Sequence, residues 1–157
     1  RPDIAILDAE LTLSLPPKIA AETGMDALTH AIESYINKNG DEITQSLTKA
    51  AILGIIKWLP TSYSEGSLES RQKLHIYQCM AGMGFANSGL GMVHGVSHAF
   101  GGIYDTAHGL SNAVILPYAM EFNGQDMFVH VVIVVFIAAR LGYRLNVNLQ
   151  PLLRPFP

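Results

Sequence analysis

Metal-binding side chains cluster in two stretches of this sequence at spacings that indicate helices. Asp26 and His30 are four residues apart in TGMDALTHAIE, while His94, His98 and His108 lie within GMVHGVSHAFGGIYDTAHG. Carboxylate and imidazole groups together suit Fe(II), Zn or Mn ions. A polar helix stripe is more often only solvated, and a lone histidine is more often structural. Three of the six histidines within fifteen residues favour a divalent metal site, although spacing does not specify its three or four ligands.

The first stretch is predicted to form an amphipathic helix. At 3.6 residues per turn, its polar residues lie within roughly 40° of one another around the axis, and its apolar residues cover the opposite side. Thr23 and Gly24 stand just before this periodic run, where we expect the helix cap. The residues of the polar stripe are Asp26, His30, Glu33 and Asn37.

The rest of the chain is also predicted to be helical. Residues 43–59 carry apolar side chains at helical spacing, and this helix should end at Pro60. Residues 61–70 are predicted to form a polar loop. A buried helix rich in Ala, Gly and Met is expected from Leu74 to Phe85. A last helix, interrupted by Pro117, is expected from Leu110 to Met120.

The two metal-binding stretches resemble the signatures of a known enzyme family. AAETGMDALTHAIESYI, followed by GMVHGVSHAFGGIYDTAHGLSNAVILPYAMEFN, is similar to the iron-containing (group III) alcohol dehydrogenases over about residues 3–123. These enzymes use NAD or NADP and are unrelated to the zinc-dependent medium-chain family. Spacing alone would have paired His94 with His98. The resemblance instead implies a ligand set of Asp26, His30, His94 and His108.

The resemblance also implies a reaction and roles for further residues. An alcohol oxygen would bind the metal, a Lewis acid that stabilises the developing alkoxide, and hydride would pass to the nicotinamide. His98 would relay the substrate proton or orient the alcohol, and a hydrogen-bonding role behind the ligands is the alternative. His108, Leu11 and Leu13 would lie near the cofactor.

Fe(II) is the expected metal, with zinc as the alternative. The related glycerol dehydrogenase and dehydroquinate synthase use zinc, which they bind through one acidic residue and two histidines. The additional candidate ligand His30 favours the iron group, although ligand type separates Fe(II) from zinc only weakly. Small primary alcohols or diols and their aldehydes are the expected substrates. His75 and His130 match neither signature, and we interpret them as structural.

The predicted fold class is mainly α, the helical metal-binding domain of a dehydroquinate synthase-like, iron alcohol dehydrogenase fold. Residues 1–20 would be the end of a nucleotide-binding domain and the crossover, with a short strand at IAIL near the N-terminus. Residues 21–126 would be the catalytic domain. Residues 127–157 form an atypical apolar and basic tail, whose core from Phe128 to Ala139 suits a strand or a buried helix. Such a tail indicates a truncated, frameshifted or aberrantly joined end, or a divergent family member.

Composition restricts the class of partner. The 157 residues fit one domain, and a net charge of −3 without a basic stripe argues against nucleic-acid binding. A charged fraction of 15% predicts exposed apolar surface, as in a homo-oligomer (a dimer or larger) or a part of a larger enzyme. The apolar core of the tail is shorter than the ~20 residues of a membrane span. We therefore expect a cytoplasmic protein that binds neither membrane nor nucleic acid.

Two functions remain open. The family carries a glycine-rich pyrophosphate loop in its nucleotide domain, and this sequence has no GxGxxG or GGGS-type turn. If the chain is the catalytic half of an alcohol dehydrogenase, coding sequence is expected upstream of Arg1. If it is complete, it would be a metal-binding helical domain without dehydrogenase activity. In both cases we expect the 157 residues alone not to oxidise ethanol with NAD.

Overall fold

The computed structural model describes residues 2–123, which fold into five α-helices and one short 3-10 helix. The prediction of a mainly helical fold is confirmed. Predictions for the tail, residues 127–157 with His130, lie outside the described residues. The 3-10 helix is Ala9–Thr12, and the α-helices are α1 (Pro17–Ile36), α2 (Glu42–Ser64), α3 (Leu68–Ser88), α4 (Met92–Tyr104) and α5 (His108–Asn123).

Helix α1 lies at the centre of the fold because it contacts α2, α3 and α5. Met25 and Leu28 on its apolar face are fully buried, together with Ile55 and Leu59 of α2 and Leu116 of α5. Burying one such side chain contributes roughly 1.5–3 kcal/mol. The polar stripe of the same helix makes its hydrogen bonds to α4 and α5. The apolar core therefore fixes the helix from which the candidate ligands project.

Helix α1 begins at Pro17, so the predicted cap at Thr23 and Gly24 is wrong. Proline is favoured in a first turn because its missing N–H would have no partner there. Thr23 lies inside the helix and donates its hydroxyl to the Ile19 carbonyl at 2.9 Å. Gly24 also lies inside α1. A Cβ at this position would overlap the Leu59 side chain of α2. This glycine permits close helix packing and does not end a helix.

Helix α2 continues through Pro60 to Ser64, so the predicted helix end at Pro60 is wrong. Proline removes one backbone donor from a helix. Ser62 is nevertheless fully buried and Tyr63 packs against the core, so tertiary contacts hold the extra turn. The loop predicted over residues 61–70 is reduced to three residues between α2 and α3.

The short strand expected at IAIL is not confirmed. Residues 2–8 form no strand, and Ile4 and Ile6 are 80% and 86% exposed. A strand needs a neighbouring strand for its backbone hydrogen bonds, and residues 2–123 contain none. The segment is instead tied to α3, where Gln72 Nε2 donates to the Leu7 carbonyl at 3.1 Å.

A tight turn between α4 and α5 brings His108 back toward His94. Helix α4 ends at Tyr104, and Asp105 takes the left-handed backbone conformation with a φ of 51°. A left-handed residue after a helix satisfies its last carbonyls and redirects the chain. Helix α5 then starts at His108 and runs without a break through Pro117.

Large apolar side chains remain exposed on α4 and α5, as the low charge content predicted. They include Phe100, Ile103 and Tyr104 of α4 and Tyr118 and Phe122 of α5. Within residues 2–123, none of the helices combines the length and the hydropathy that a bilayer crossing requires.

Candidate metal centre

Three of the four predicted ligands converge where α1, α4 and α5 meet. The Oδ1 atom of Asp26 lies 3.5 Å from Nε2 of His94 and 3.3 Å from Nε2 of His108. One potential ligand atom from each residue lies within 4.8 Å of the other two. His94 is buried, whereas Asp26 and His108 are half-buried, so solvent can reach the cluster from one side. We call these three residues the metal cluster.

Asn112 of α5 places its amide nitrogen at the centre of the metal cluster. This Nδ2 atom donates to Asp26 Oδ1 at 2.5 Å and lies 3.1 Å from Nε2 of both His94 and His108. The Nε2 atoms of both imidazoles and the Asp26 oxygen thus face the same amide nitrogen. Potential ligand atoms from a carboxylate and two imidazoles therefore surround one position, which the amide nitrogen of Asn112 occupies in this structure. Such a donor set fits Fe(II) or zinc.

Asn112 also contributes an oxygen beside the cluster. Its Oδ1 atom is buried and has no hydrogen-bond partner within residues 2–123. Buried acceptors are nearly always paired, and an exception commonly marks the position of an ion or water. This unpaired oxygen agrees with a cation site at the cluster.

His30 flanks the metal cluster on α1. Its Nδ1 atom lies 3.8 Å from Oδ2 of Asp26, the carboxylate oxygen that does not face His94 and His108. Its ring stacks on the ring of His94, with centroids 4.4 Å apart, and on the ring of Phe85 at 4.6 Å. His30 is thus adjacent to the other three predicted ligands and held in place by ring stacking.

His98 lies at the exposed edge of the cluster. Its ring stacks on the ring of His108 at 5.0 Å and meets the ring of His94 edge-on at 6.0 Å. The pairing that spacing alone favoured, His94 with His98, is therefore not the one in the structure. His94 shares Asp26 with His108 instead.

Behind the cluster, Glu33 of α1 holds the other nitrogen of His94. The Nδ1 atom of His94 donates to Glu33 Oε2 at 2.7 Å, and both side chains are buried. The backbone N–H of Val93 donates to Glu33 Oε1 at 2.7 Å. The predicted polar stripe included Glu33, but spacing gave it no role.

Close packing of α5 on α1 sets the position of His108. A Cβ at Gly109 would overlap the backbone carbonyl of Glu22, so the two helices approach to backbone contact. On the other side, Ser97 of α4 lies 3.4 Å from Nδ1 of His108 through its Oγ. His108 is therefore oriented from α4 and brought near Asp26 by the glycine that follows it.

Burial and neighbouring groups shift the pKa values of His94, Asp26, Glu33 and His30. Burial lowers the pKa of His94, but hydrogen bonds to Asp26 and Glu33 outweigh burial and raise this pKa to about 9. Burial raises the pKa of Asp26, yet the His94 hydrogen bond and nearby His30 bring it below its ordinary value. Burial also raises the pKa of Glu33, but hydrogen bonds from His94 and the Val93 backbone bring it below its ordinary value. Burial lowers the pKa of His30. Both carboxylates are thus ionised at neutral pH.

The predicted cofactor contacts Leu11 and Leu13 lie on the N-terminal segment. They are 79% and 46% exposed, at the end of the 3-10 helix that packs against α3. Their side chains can therefore contact a ligand without any rearrangement of the helical core.

Sequence reasoning missed Asn112 and Ser97. Asn112 stands four residues after His108, the same helical spacing that singled out Asp26 and His30, so a signal was present. Ser97 had no comparable signal, because its partner His108 is reached only through the turn between α4 and α5.

Sequence comparison agrees with the geometry of the cluster. Residues 20–143 match the family model described as Fe-containing alcohol dehydrogenase family, C-terminal. This match reaches past residue 123 into the tail that was predicted to depart from the family. The NADPH-dependent butanol dehydrogenase of Clostridium saccharobutylicum is 45% identical over 124 residues, which are 79% of this chain and 32% of that protein. The chain thus spans about a third of the length of the curated relatives it matches.

Solved structures share the fold. An iron-containing alcohol dehydrogenase from Thermococcus thioreducens is 34% identical with a TM-score of 0.83, covering 98% of this chain and 44% of that one. The sulfoacetaldehyde reductase of Bifidobacterium kashiwanohense, solved in complex with NAD+, is 28% identical with a TM-score of 0.84. That match covers 96% of this chain and 44% of the reductase.

Proposed function

The chain belongs to the iron-containing alcohol dehydrogenase family, and from this premise we propose that it is the metal-binding catalytic part of an NAD(P)-dependent alcohol dehydrogenase. The observation that carries the proposal is the convergence of potential ligand atoms from Asp26, His94 and His108 on one position. One relative is named for NADPH and another was solved with NAD+, so the proposal includes either cofactor.

Four side chains would hold an Fe(II) ion, with zinc as the alternative. Asp26 would supply the charge, and His94 and His108 would bind through Nε2. His30, which stacks on His94 beside Asp26, would be the fourth ligand. When bound, the ion acts as a Lewis acid that polarises the substrate oxygen.

The remaining residues would handle the proton and position the reactants. His98, at the exposed edge of the cluster, would accept the alcohol proton as the hydride leaves for the nicotinamide. The products are then an aldehyde, NAD(P)H and one proton. Leu11, Leu13 and His108 would contact the nicotinamide end of the cofactor. Since one relative is named for butanol and another for 1-propanol, small primary alcohols or diols are the proposed substrates.

We also propose a homo-oligomer, a dimer or larger, in the cytoplasm. The support is the set of exposed large apolar side chains on α4 and α5, because apolar surface left open to solvent often marks an interface.

Elemental analysis of protein purified anaerobically tests the metal proposal. We expect about one iron or zinc ion per chain, and none in His94→Ala. His75→Ala is the matched control, since it removes the same residue type from α3 and should leave the metal content unchanged. Wild-type protein without metal, or equal loss in both variants, would contradict the proposal.

Activity is best tested within a full-length relative. Residues 20–123 would replace the corresponding part of the Clostridium saccharobutylicum butanol dehydrogenase. We expect the chimera to reduce NADP+ in the presence of 1-butanol, and the chimera carrying Asp26→Asn to be inactive. A folded, metal-containing chimera that oxidises no alcohol would refute the proposed activity.

A further inference from the structure

Glu33 is a buried carboxylate that receives three hydrogen bonds from one short segment of α4. The backbone N–H of Val93 donates to Oε1 at 2.7 Å, and that of His94 donates to Oε2 at 3.4 Å. The Nδ1 atom of His94 donates to Oε2 at 2.7 Å. Only 4% of Glu33 is exposed, so solvent does not compete for these bonds.

Two of these bonds cap helix α4 from outside its own sequence. The first N–H groups of a helix have no intrahelical acceptor, and the N-cap residue Gly91 has no side chain to supply one. Glu33 supplies the acceptor from α1, and its negative charge also suits a helix N-terminus. A Cβ at Gly91 would come within 2.7 Å of Glu33 Oε1, so the glycine makes room for the carboxylate.

The third bond determines which nitrogen of His94 faces the metal cluster. An ionised carboxylate only accepts, so the Nδ1 atom of His94 must carry the proton toward Glu33. On the other edge of the ring, Nε2 faces Asp26 and Asn112. The ring is thereby fixed with Nε2 toward the position that Asp26 and His108 also face.

We propose that Glu33 is a positioning residue, whose carboxylate joins the first turn of α4 to α1 and holds the His94 ring with Nε2 aimed at the metal. The inference rests on the proposed function, because it assigns a support for that same metal site. Carboxylates that orient metal-binding histidines typically change metal affinity by about 10–100-fold when they are replaced.

The variant Glu33→Gln separates the two tasks of the carboxylate. A glutamine amide offers one accepting oxygen, whereas the carboxylate accepts from both the Val93 N–H and the His94 Nδ1–H. If the amide oxygen keeps the α4 cap, its NH2 group faces His94 and cannot accept from Nδ1. Glu22→Gln is the matched control, since Glu22 also lies on α1, is 5% exposed and makes its ion pair with Lys18.

The experiment measures zinc affinity by competition with a chelator and records the imidazole N–H resonances of metal-free, 15N-histidine-labelled protein. We expect Glu33→Gln to weaken zinc binding by about 10–100-fold, while Glu22→Gln binds like the wild type. A downfield, slowly exchanging His94 Nδ1–H signal, assigned by its absence in His94→Ala, should be present in the wild type and Glu22→Gln and lost in Glu33→Gln.

Each negative outcome has its own meaning. Equal zinc affinity in Glu33→Gln and wild type, or equal losses in Glu33→Gln and Glu22→Gln, would overturn the positioning role. Persistence of the Nδ1–H signal in Glu33→Gln would also overturn it. Wild-type protein that binds no zinc would instead refute the proposed function, and the N–H signal of the metal-free protein would still decide the hydrogen-bonding role of Glu33.

Discussion

The metal cluster and the region around Arg71 and His75 differ in whether their buried nitrogen atoms have hydrogen-bond partners. In the first, both ring nitrogens of His94 have partners, and the carboxylates of Asp26 and Glu33 lie on either side of the ring. In the second, between α3 and the N-terminal segment, Arg71 Nε and His75 Nδ1 are buried and have no hydrogen-bond partner among the described residues. These two residues line a small cavity of about 40 Å³ and form no ion pair within residues 2–123.

The contrast indicates that carboxylates on α1, rather than histidines as such, distinguish the candidate metal site. His75 and His94 are the same residue type on neighbouring helices of the chain. Only His94 lies between two ionised side chains, which together set its pKa and orient its ring. Substitutions that act differently on the two regions test this account.

The largest effect is expected for Asp26→Asn. Asp26 Oδ1 faces His94, His108 and Asn112, so the substitution removes the one charged oxygen that all three share. Replacing a residue that only supports a metal-binding histidine already costs about 10–100-fold in affinity, so loss of the charged ligand itself should lower zinc affinity by at least about a hundredfold. Titration against a chelator measures this loss. The control Asp41→Asn, at the start of α2, should bind zinc like the wild type.

A smaller effect is expected for Gly109→Ala. The new Cβ would overlap the Glu22 carbonyl, which is backbone and cannot rotate away as a side chain could. Helix α5 must therefore shift away from α1, and His108 shifts with it. We expect about tenfold weaker zinc binding, in the range seen when ligand supports are displaced. Gly95→Ala is the control, because a Cβ there meets nothing within 4 Å. Equal affinities in the two variants would show that this helix contact does not position His108.

The Arg71 and His75 region should respond to an apolar substitution with increased stability. His75→Leu removes a buried nitrogen that has no partner in residues 2–123, and an unsatisfied group of this kind costs at least about 1 kcal/mol. We therefore expect the free energy of unfolding in urea to rise by about 1 kcal/mol. His94→Leu should lower it, since that change leaves Glu33 without its histidine donor. A loss of stability in both variants would mean that the two histidines are equivalent.

The smallest effect concerns Asp41, a carboxylate outside both regions. Hydrogen bonds from the backbone and side chain of Thr44 hold the pKa of Asp41 below its ordinary value. Because the folded pKa is the lower one, the cap stabilises the protein above the ordinary pKa and is lost as pH falls through the folded value. Thermal melts should show a lower midpoint for Asp41→Asn at neutral pH and convergence with the wild type in acid. A constant difference across this pH range would exclude the cap as its cause.

The sequence predicted the helical class and the two metal-binding stretches because both depend on local periodicity. It misplaced the start of α1 and the end of α2, since Gly24 and Pro60 are accommodated by packing that no local pattern records. The cluster of Asp26, His94 and His108 joins three helices, so spacing within one helix favoured the wrong partner for His94. Family resemblance supplied the predicted ligand set, which spacing alone left open.

The supporting residues were harder to foresee than the ligands. Glu33 appeared only as part of a polar stripe, and its partner His94 lies on another helix, 61 residues away. Asn112 had the right spacing from His108, but its approach to Asp26 depends on the close contact between α5 and α1.

Anomalous diffraction from crystals loaded with zinc or iron tests the central claim most directly. The account predicts one metal peak at about 2.0–2.2 Å from an Asp26 oxygen and from one nitrogen each of His30, His94 and His108. A peak at any other position, or a peak that lacks His30 within this distance, would contradict the four-ligand site.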